Sequence, residues 1–112
     1  MDQSAAALAF STLGHPDRLS VFRLLMRFAP RRVRPTEIAS ALNLKQNTLS
    51  NHLSDLSACG LIRAERQSRS LFYSVDLDAT EGLIGYLALD VGRARPDLIS
   101  LLMDEHKETN AM

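Results

Sequence analysis

The sequence predicts a mainly α-helical fold with one small β-hairpin, and three observations favour it. The chain has 112 residues, 46% of them hydrophobic, which suits one domain with one core. Apolar residues recur at helical spacing over most of this length. Two short strand-like runs flank residue 68 and interrupt the helical pattern. We expect one domain over residues 1–104, followed by a polar tail over residues 105–112.

The amino-terminal segment predicts two helices. Residues 4–13 are mostly small and compatible with a helix, and Gly14 ends this segment. Pro16 and Asp17 suit the first turn of a second helix, because proline fits the first helical position and an acidic group favours the positive helix end. The apolar residues of the second helix form a broad face: Leu19, Phe22, Leu25, Met26 and Ala29.

Two shorter helices follow a basic, proline-bounded loop over residues 30–35. The first covers residues 36–42 and the second covers about residues 46–59, with Gly60 in the position of a C-cap. Two helices separated by a tight turn are the sequence pattern of a helix-turn-helix.

A hairpin and a last helical segment complete the pattern. Residues 61–66 and 70–75 are predicted strands, joined by a polar and basic tip. A basic hairpin directly after a helix-turn-helix indicates a winged helix. Helical spacing then returns and places one apolar stripe at Thr80, Leu83, Ile84, Leu87 and Val91.

The formal net charge of zero hides a division along the chain. Residues 18–69 hold ten basic and three acidic side chains, a net charge of +7, whereas residues 70–112 hold three basic and eight acidic side chains, a net charge of −5. This division indicates a basic face for a polyanion and an acidic remainder that faces elsewhere.

The helix over residues 46–59 has a polar face suited to DNA. Its buried stripe is predicted at Leu49, Leu53, Leu56 and Cys59, which leaves amide and hydroxyl side chains on the opposite side. Asn and Gln form paired hydrogen bonds with an adenine edge, and Ser contacts bases or phosphates. The predicted base-contacting face comprises Gln46, Asn47, Ser50, Asn51 and Ser54, and the predicted phosphate contacts are Lys45, Arg31, Arg32, Arg34, Arg66 and Arg69.

Four ordered blocks carry a family resemblance: residues 13–19 (LGHPDRL), 37–44 (EIASALNL), 46–53 (QNTLSNHL) and 59–62 (CGLI). Together they resemble the ArsR/SmtB family of bacterial winged-helix regulators over about residues 8–92. The resemblance implies a homodimer, joined through its first and last helices, that represses an inverted-repeat operator on double-stranded DNA until an inducer releases it.

The resemblance also assigns residues. Lys45 and Ser68 depart from the family, which often has a serine and a glycine at these positions. The implied recognition-helix residues are Gln46, Asn47, Thr48, Ser50, Asn51 and His52. The implied dimer interface comprises Phe10, Leu83, Ile84, Leu87 and Val91.

The family's sensing ligands are replaced in this chain. Residues 32–34 are Arg-Val-Arg where a Cys-x-Cys pair is common, and residues 78–92 contain no histidine. The arsenite-sensing branch is closest, but Val91, Gly92 and Ile99 occupy its cysteine positions, and three-coordinate arsenic needs thiolates. We therefore predict no metal site, no cofactor and no metal or arsenic response through these positions, and we assign no inducer.

Cys59 and the three histidines have ordinary structural interpretations. As the only cysteine, Cys59 excludes an internal disulfide and favours the cytoplasm, and it suits a small buried position. The alternative is a thiol or redox switch that acts on the recognition helix. His15 is expected at a helix start, His52 at a hydrogen-bonding boundary, and His106 in the tail without neighbours that would make a site.

Other function classes fit the sequence less well. No phosphate loop or nucleophile elbow is present, so we do not expect an enzyme. The apolar run over residues 5–10 is too short for a signal peptide or a membrane span, so no membrane partner is expected. The competing hypothesis is a winged helix that binds a partner protein through its last helices.

Overall fold

The computed structural model describes residues 1–101 and residue 104, and it has the predicted mainly α-helical architecture with one antiparallel hairpin. The predicted tail over residues 105–112 lies outside the described residues. In chain order the elements are α1 (Gln3–Leu13), α2 (Pro16–Phe28), α3 (Pro35–Leu42), α4 (Gln46–Ala58), β1 (Ile62–Gln67), β2 (Ser70–Val75) and α5 (Leu77–Gly85).

The start of α1 and the end of α4 are capped by groups that the sequence supplies. The Asp2 side chain accepts a hydrogen bond from Ala5 N–H at 2.8 Å at the start of α1. The end of α4 is closed by two backbone bonds, from Gly60 N–H to the Ser57 carbonyl and from Leu61 N–H to the Leu56 carbonyl. Gly60 has φ of +83°, the left-handed conformation that this closure requires of the residue after a helix.

The core lies where α2 packs against α4 and β2, with α1 and α3 closing its sides. On α2 the buried side chains are Val21 and Leu25. The predicted apolar face of α2 is therefore partly wrong: it omits Val21, and Leu19 and Met26 are 43% and 38% exposed. The buried apolar residues are Ala6, Ala9, Val21, Leu25, Val33, Ile38, Ala39, Leu49, Leu53, Leu56, Leu61, Ile62, Val75 and Leu83.

The hairpin pairs Ile62 with Val75 at its base and Gln67 with Ser70 at its tip. The loop before α3 joins this sheet, because Val33 exchanges two backbone hydrogen bonds of 2.8 Å with Tyr73. The sequence predicted only a basic loop there. This bridge attaches the connection between α2 and α3 to the β1–β2 hairpin, which is the wing of the winged helix.

The last helical segment is less regular than the apolar stripe predicted. The α-helix ends at Gly85, and the chain continues as one turn of π-helix over Tyr86–Asp90 and a 3₁₀ turn over Val91–Ala94. At Gly92 an added Cβ would lie 3.0 Å from the Leu87 carbonyl oxygen, so a larger side chain would crowd this turn. Residues 96–101 are again helical.

No helix within residues 1–101 is both long enough and apolar enough to cross a membrane.

Candidate DNA-binding surface

Helix α4 presents a polar face away from the core. Leu49, Leu53 and Leu56 are buried, which fixes the rotation of the helix on α2 and α3. The opposite side chains, Gln46, Asn47, Ser50, Asn51 and Ser54, are exposed. A helix with this placement in a helix-turn-helix is the one that enters the DNA major groove.

The start of α4 is shaped by Lys45 and Asn47. Lys45 is the N-cap residue and, among the described residues, its side chain makes no capping bond. The Asn47 side-chain oxygen instead accepts from Thr48 N–H at 2.9 Å. The exposed ammonium of Lys45 therefore lies beside the positive end of the helix, an arrangement suited to a DNA phosphate.

The wing supplies two further cations. Arg66 and Arg69 are exposed near the hairpin tip, and within residues 1–101 and residue 104 neither forms an ion pair. Ser68 between them has φ of +56°, so serine adopts the left-handed conformation where the family often has glycine. The tip therefore turns tightly at Ser68, with Arg66 before it and Arg69 after it in the chain.

The three arginines of the loop before α3 contact protein groups. Arg32 donates to Glu65 Oε2 at 2.8 Å and to Gln67 Oε1 at 2.9 Å, and its guanidinium lies 5.2 Å from the Phe72 ring centroid. Arg34 lies 5.4 Å from the same centroid. Arg31 lies 5.0 Å from the ring centroid of Phe28. Arg32 therefore serves mainly to hold the loop against the wing.

His52 does not lie on the exposed face of α4. Its exposed fraction is 8%, and it faces the start of α2, where its Nε2 atom is 3.9 Å from Asp17 Oδ2 and its ring centroid is 4.7 Å from that of His15. We therefore leave His52 out of the proposed DNA contacts. Burial chiefly, and then the His15 ring and Arg18, lower the pKa of His52 despite the opposing carboxylates of Asp17 and Asp55.

Sequence reasoning missed the grouping of His15, Asp17 and His52, whose ligand atoms lie within 4.8 Å of one another. His15 is at the predicted helix start, where its Nδ1 atom accepts from Asp17 N–H at 3.2 Å. A signal was present in the spacing, because His52 follows Leu49 by three residues and precedes Leu56 by four. That spacing places the ring on the buried stripe of α4.

Cys59 is half-buried at the C-cap of α4. Its thiol donates a hydrogen bond to the Leu56 carbonyl, with Sγ 3.4 Å from the oxygen, and it packs against the core. The sequence predicted a buried position for Cys59, whereas the structure leaves it half-buried because it lies at the helix end rather than within α4.

The predicted dimer residues fall in two groups. Leu83 is 6% exposed and belongs to the core of its own chain. The other four have exposed fractions of 37% for Phe10, 63% for Ile84, 47% for Leu87 and 63% for Val91.

Comparison with known proteins places these features in context. The family model of the helix-turn-helix domain HTH_20 matches residues 13–65. The nodulation protein NolR of Rhizobium meliloti is 30% identical over 87 residues, which cover 78% of this chain and 69% of that protein.

Solved structures of other regulators share this fold, and two of them serve as examples. An ArsR-like transcriptional regulator from Rhodococcus sp. RHA1 superposes with a TM-score of 0.69 at 19% identity, over 91% of this chain and 92% of that chain. The homodimeric winged helix-turn-helix DNA-binding domain of a possible ArsR-family regulator from Mycobacterium bovis superposes with a TM-score of 0.61 at 24% identity, over 95% and 84%.

Proposed function

The chain belongs to the ArsR family of winged helix-turn-helix transcriptional regulators, and from this we propose that it is a homodimeric repressor that binds an inverted-repeat operator. The Rhodococcus structure is that of a transcriptional regulator and the Mycobacterium bovis structure is that of a DNA-binding domain, which supports a DNA-binding rather than an enzymatic function. We place its action in the cytoplasm, on double-stranded DNA.

The observation that carries this proposal is the exposed polar face of α4, together with exposed cations at the start of that helix and near the hairpin tip. Asn51 and Ser50 are exposed on the helix and are suited to base edges in the major groove. Lys45, Arg66 and Arg69 are also exposed and are suited to phosphates, which supply most of the salt-dependent affinity. We propose these residues, with Gln46, Asn47 and Thr48, as the DNA contacts.

Exposed apolar side chains on α1, and in the residues that follow Leu83 in the chain, support dimerisation. Phe10, Ile84, Leu87 and Val91 are apolar side chains that remain exposed in the single chain. At Gly85 an added Cβ would meet no described atom within 4 Å, so a second backbone can approach there. A two-fold dimer pairs two recognition helices with two operator half-sites.

We also propose that regulation does not use the family's usual metal positions. Arg32 and Arg34 occupy the Cys-x-Cys positions and lie over Phe72, where cationic groups cannot replace thiolate ligands. A redox response through Cys59 is the alternative regulatory proposal. It predicts that peroxide releases the wild type from DNA and leaves a Cys59→Ser variant bound.

Binding to the DNA upstream of the protein's own gene and its neighbours tests the proposal. We expect a sequence-selective shift in a gel assay that weakens steeply as salt rises, and a lower transcript yield in reconstituted transcription from the same fragment. Binding without sequence preference would contradict the operator, and a higher transcript yield would contradict repression. Capture of a partner protein without any DNA shift would favour the protein-binding alternative.

A further inference from the structure

We propose that His15, Asp17 and His52 form a binding site for a divalent transition-metal ion, with Zn²⁺ as the ion to be tested. The site joins the start of α2 to the recognition helix α4. It uses none of the positions at which the family resemblance would place metal ligands.

The three side chains already lie near the spacing that a metal needs. One ligand atom from each lies within 4.8 Å of the others, and His52 Nε2 is 3.9 Å from Asp17 Oδ2. Zn²⁺ binds imidazole nitrogen and carboxylate oxygen at about 2.0–2.2 Å, which puts tetrahedral ligand atoms about 3.4 Å apart. Small side-chain rotations close that difference.

His52 provides the independent evidence for a ligand. The residue is 8% exposed, and both of its ring nitrogens lack a hydrogen-bond partner among the described residues. Buried polar atoms without partners are rare in folded proteins, and an ion is one of the groups that satisfies them. A neutral imidazole is the form that binds metal, and burial, which lowers the pKa of His52, favours that form.

The surrounding charges and access also suit a cation. The Asp17 side chain is 48% exposed, which leaves a route for an ion to enter and supplies one negative charge. The neighbouring Arg18 carries a positive charge that opposes binding, but its Nη1 atom lies 3.9 Å from Asp55 Oδ2. The carboxylates of Asp17 and Asp55 together offset that charge.

Binding has one local cost at His15. A neutral imidazole has a lone pair on one ring nitrogen only, and that of His15 now accepts from Asp17 N–H at 3.2 Å. A metal ion bound through either nitrogen of His15 replaces this hydrogen bond. The loss corresponds to about tenfold in affinity at most, which a bond to Zn²⁺ exceeds.

Metal titration of the full chain, first freed of metal with a chelator, tests the site without any DNA. We expect one Zn²⁺ per chain by calorimetry, a higher unfolding temperature when Zn²⁺ is present, and visible absorption of a tetrahedral complex when Co²⁺ is used instead. Loss of an outer-shell partner alone weakens metal binding about 10- to 100-fold. His52→Gln and Asp17→Asn, which each remove a direct ligand, should weaken it at least that much.

Two controls keep the result interpretable. His106→Gln removes an imidazole from the segment outside the described residues, and it should leave the affinity unchanged. Asp17→Asn removes a half-exposed carboxylate and keeps its size, so this variant tests the site even if His52→Gln does not fold.

Two results would overturn the proposal. The first is a wild type that binds no Zn²⁺ stoichiometrically, in which case His52 is a buried neutral ring that reaches Asp17 only through water. The second is an affinity that depends on His106 as much as on His52. Both results are independent of operator binding, so failure here is distinguishable from failure of the proposed function.

Discussion

Asp76 links three parts of the chain through one carboxylate. Its Oδ1 atom accepts from Ala79 N–H at 3.0 Å, which caps α5, and its Oδ2 atom accepts from Arg63 of β1 at 3.0 Å. The Asp76 side chain is 19% exposed, and the capping bond is partly buried whereas the bond to Arg63 is exposed. The carboxylate therefore fixes the angle at which α5 leaves the wing.

Replacement of Asp76 by Ala should lower the free energy of unfolding by about 1–2 kcal/mol, through the lost cap and the lost ion pair. Urea denaturation at neutral pH measures this change. Glu81→Ala is the matched control, because Glu81 is exposed within the same helix and should change stability by less than about 0.5 kcal/mol. An equal loss in both variants would contradict the capping role.

The same carboxylate should make stability depend on pH. The Ala79 N–H bond first, and then Arg63, lower the pKa of Asp76 in the folded protein. Its contribution is therefore complete above the unfolded-state pKa and is lost as the pH falls through the folded-state pKa. The stability difference between wild type and Asp76→Asn should shrink from about pH 4 downward. A constant difference down to full protonation would contradict this assignment.

The left-handed backbone of Ser68 at the wing tip destabilises the folded protein. A φ of +56° is sterically unfavourable for a residue with a Cβ but not for glycine. Glycine loses more backbone entropy on folding, which offsets part of this gain. Ser68→Gly should therefore raise the free energy of unfolding by about 0.5 kcal/mol. Ser70→Gly, two residues along in β2, should lower it by a similar amount, since Ser70 has no positive φ to relieve. Thermal unfolding of both variants checks the opposite signs.

Residue-level prediction succeeded where the determinants are local and failed where they are not. Pro16, Asp17 and Gly60 occupy the predicted helix ends, because capping depends on a few neighbouring residues. His52 was included among the DNA contacts on the resemblance alone, which supplied its position along the helix but not the direction of its buried ring. Its contact with His15 depends on how α2 packs against α4, which no local pattern encodes.

At the scale of elements, α4 and the wing should make different contributions to DNA binding. Asn51→Ala should reduce the difference in binding free energy between operator and other DNA by about 1–3 kcal/mol, because base contacts carry specificity. Arg66→Ala should weaken binding to all sequences and reduce the salt dependence by about one counterion. Binding to operator and scrambled DNA over a salt series separates the two effects. Identical behaviour of the two variants would contradict this division.

The order of elements was predictable, but two connections were not. The helix-turn-helix and the hairpin were predicted because apolar spacing and turn residues mark them directly. The Val33–Tyr73 bridge was missed because a single residue pair has no periodicity. The π-helical turn over Tyr86–Asp90 was missed because an apolar stripe gives the same pattern whether or not one turn is widened.

At the scale of the whole molecule, the proposed dimer should depend on the exposed apolar surface. Ile84→Glu places a charge where a second copy would exclude water, which is costly, and should shift the protein to a monomer with weaker operator binding. Met26→Glu, at another exposed apolar position on α2, should leave the dimer intact. Light scattering after size exclusion measures both. A dimeric Ile84→Glu variant would contradict the proposed interface.

The attachment of the α2–α3 connection to the wing has a consequence for operator geometry. The Val33–Tyr73 bridge and the Arg32 bonds to Glu65 and Gln67 tie the hairpin to the loop that leads into the helix-turn-helix. The distance between Asn51 and Arg66 should then be the same in the free protein and in its complex with DNA. For the DNA contacts proposed for α4 and the wing, we therefore expect an inserted base pair between the two contact points to weaken binding, because the hairpin is tied to the loop before α3.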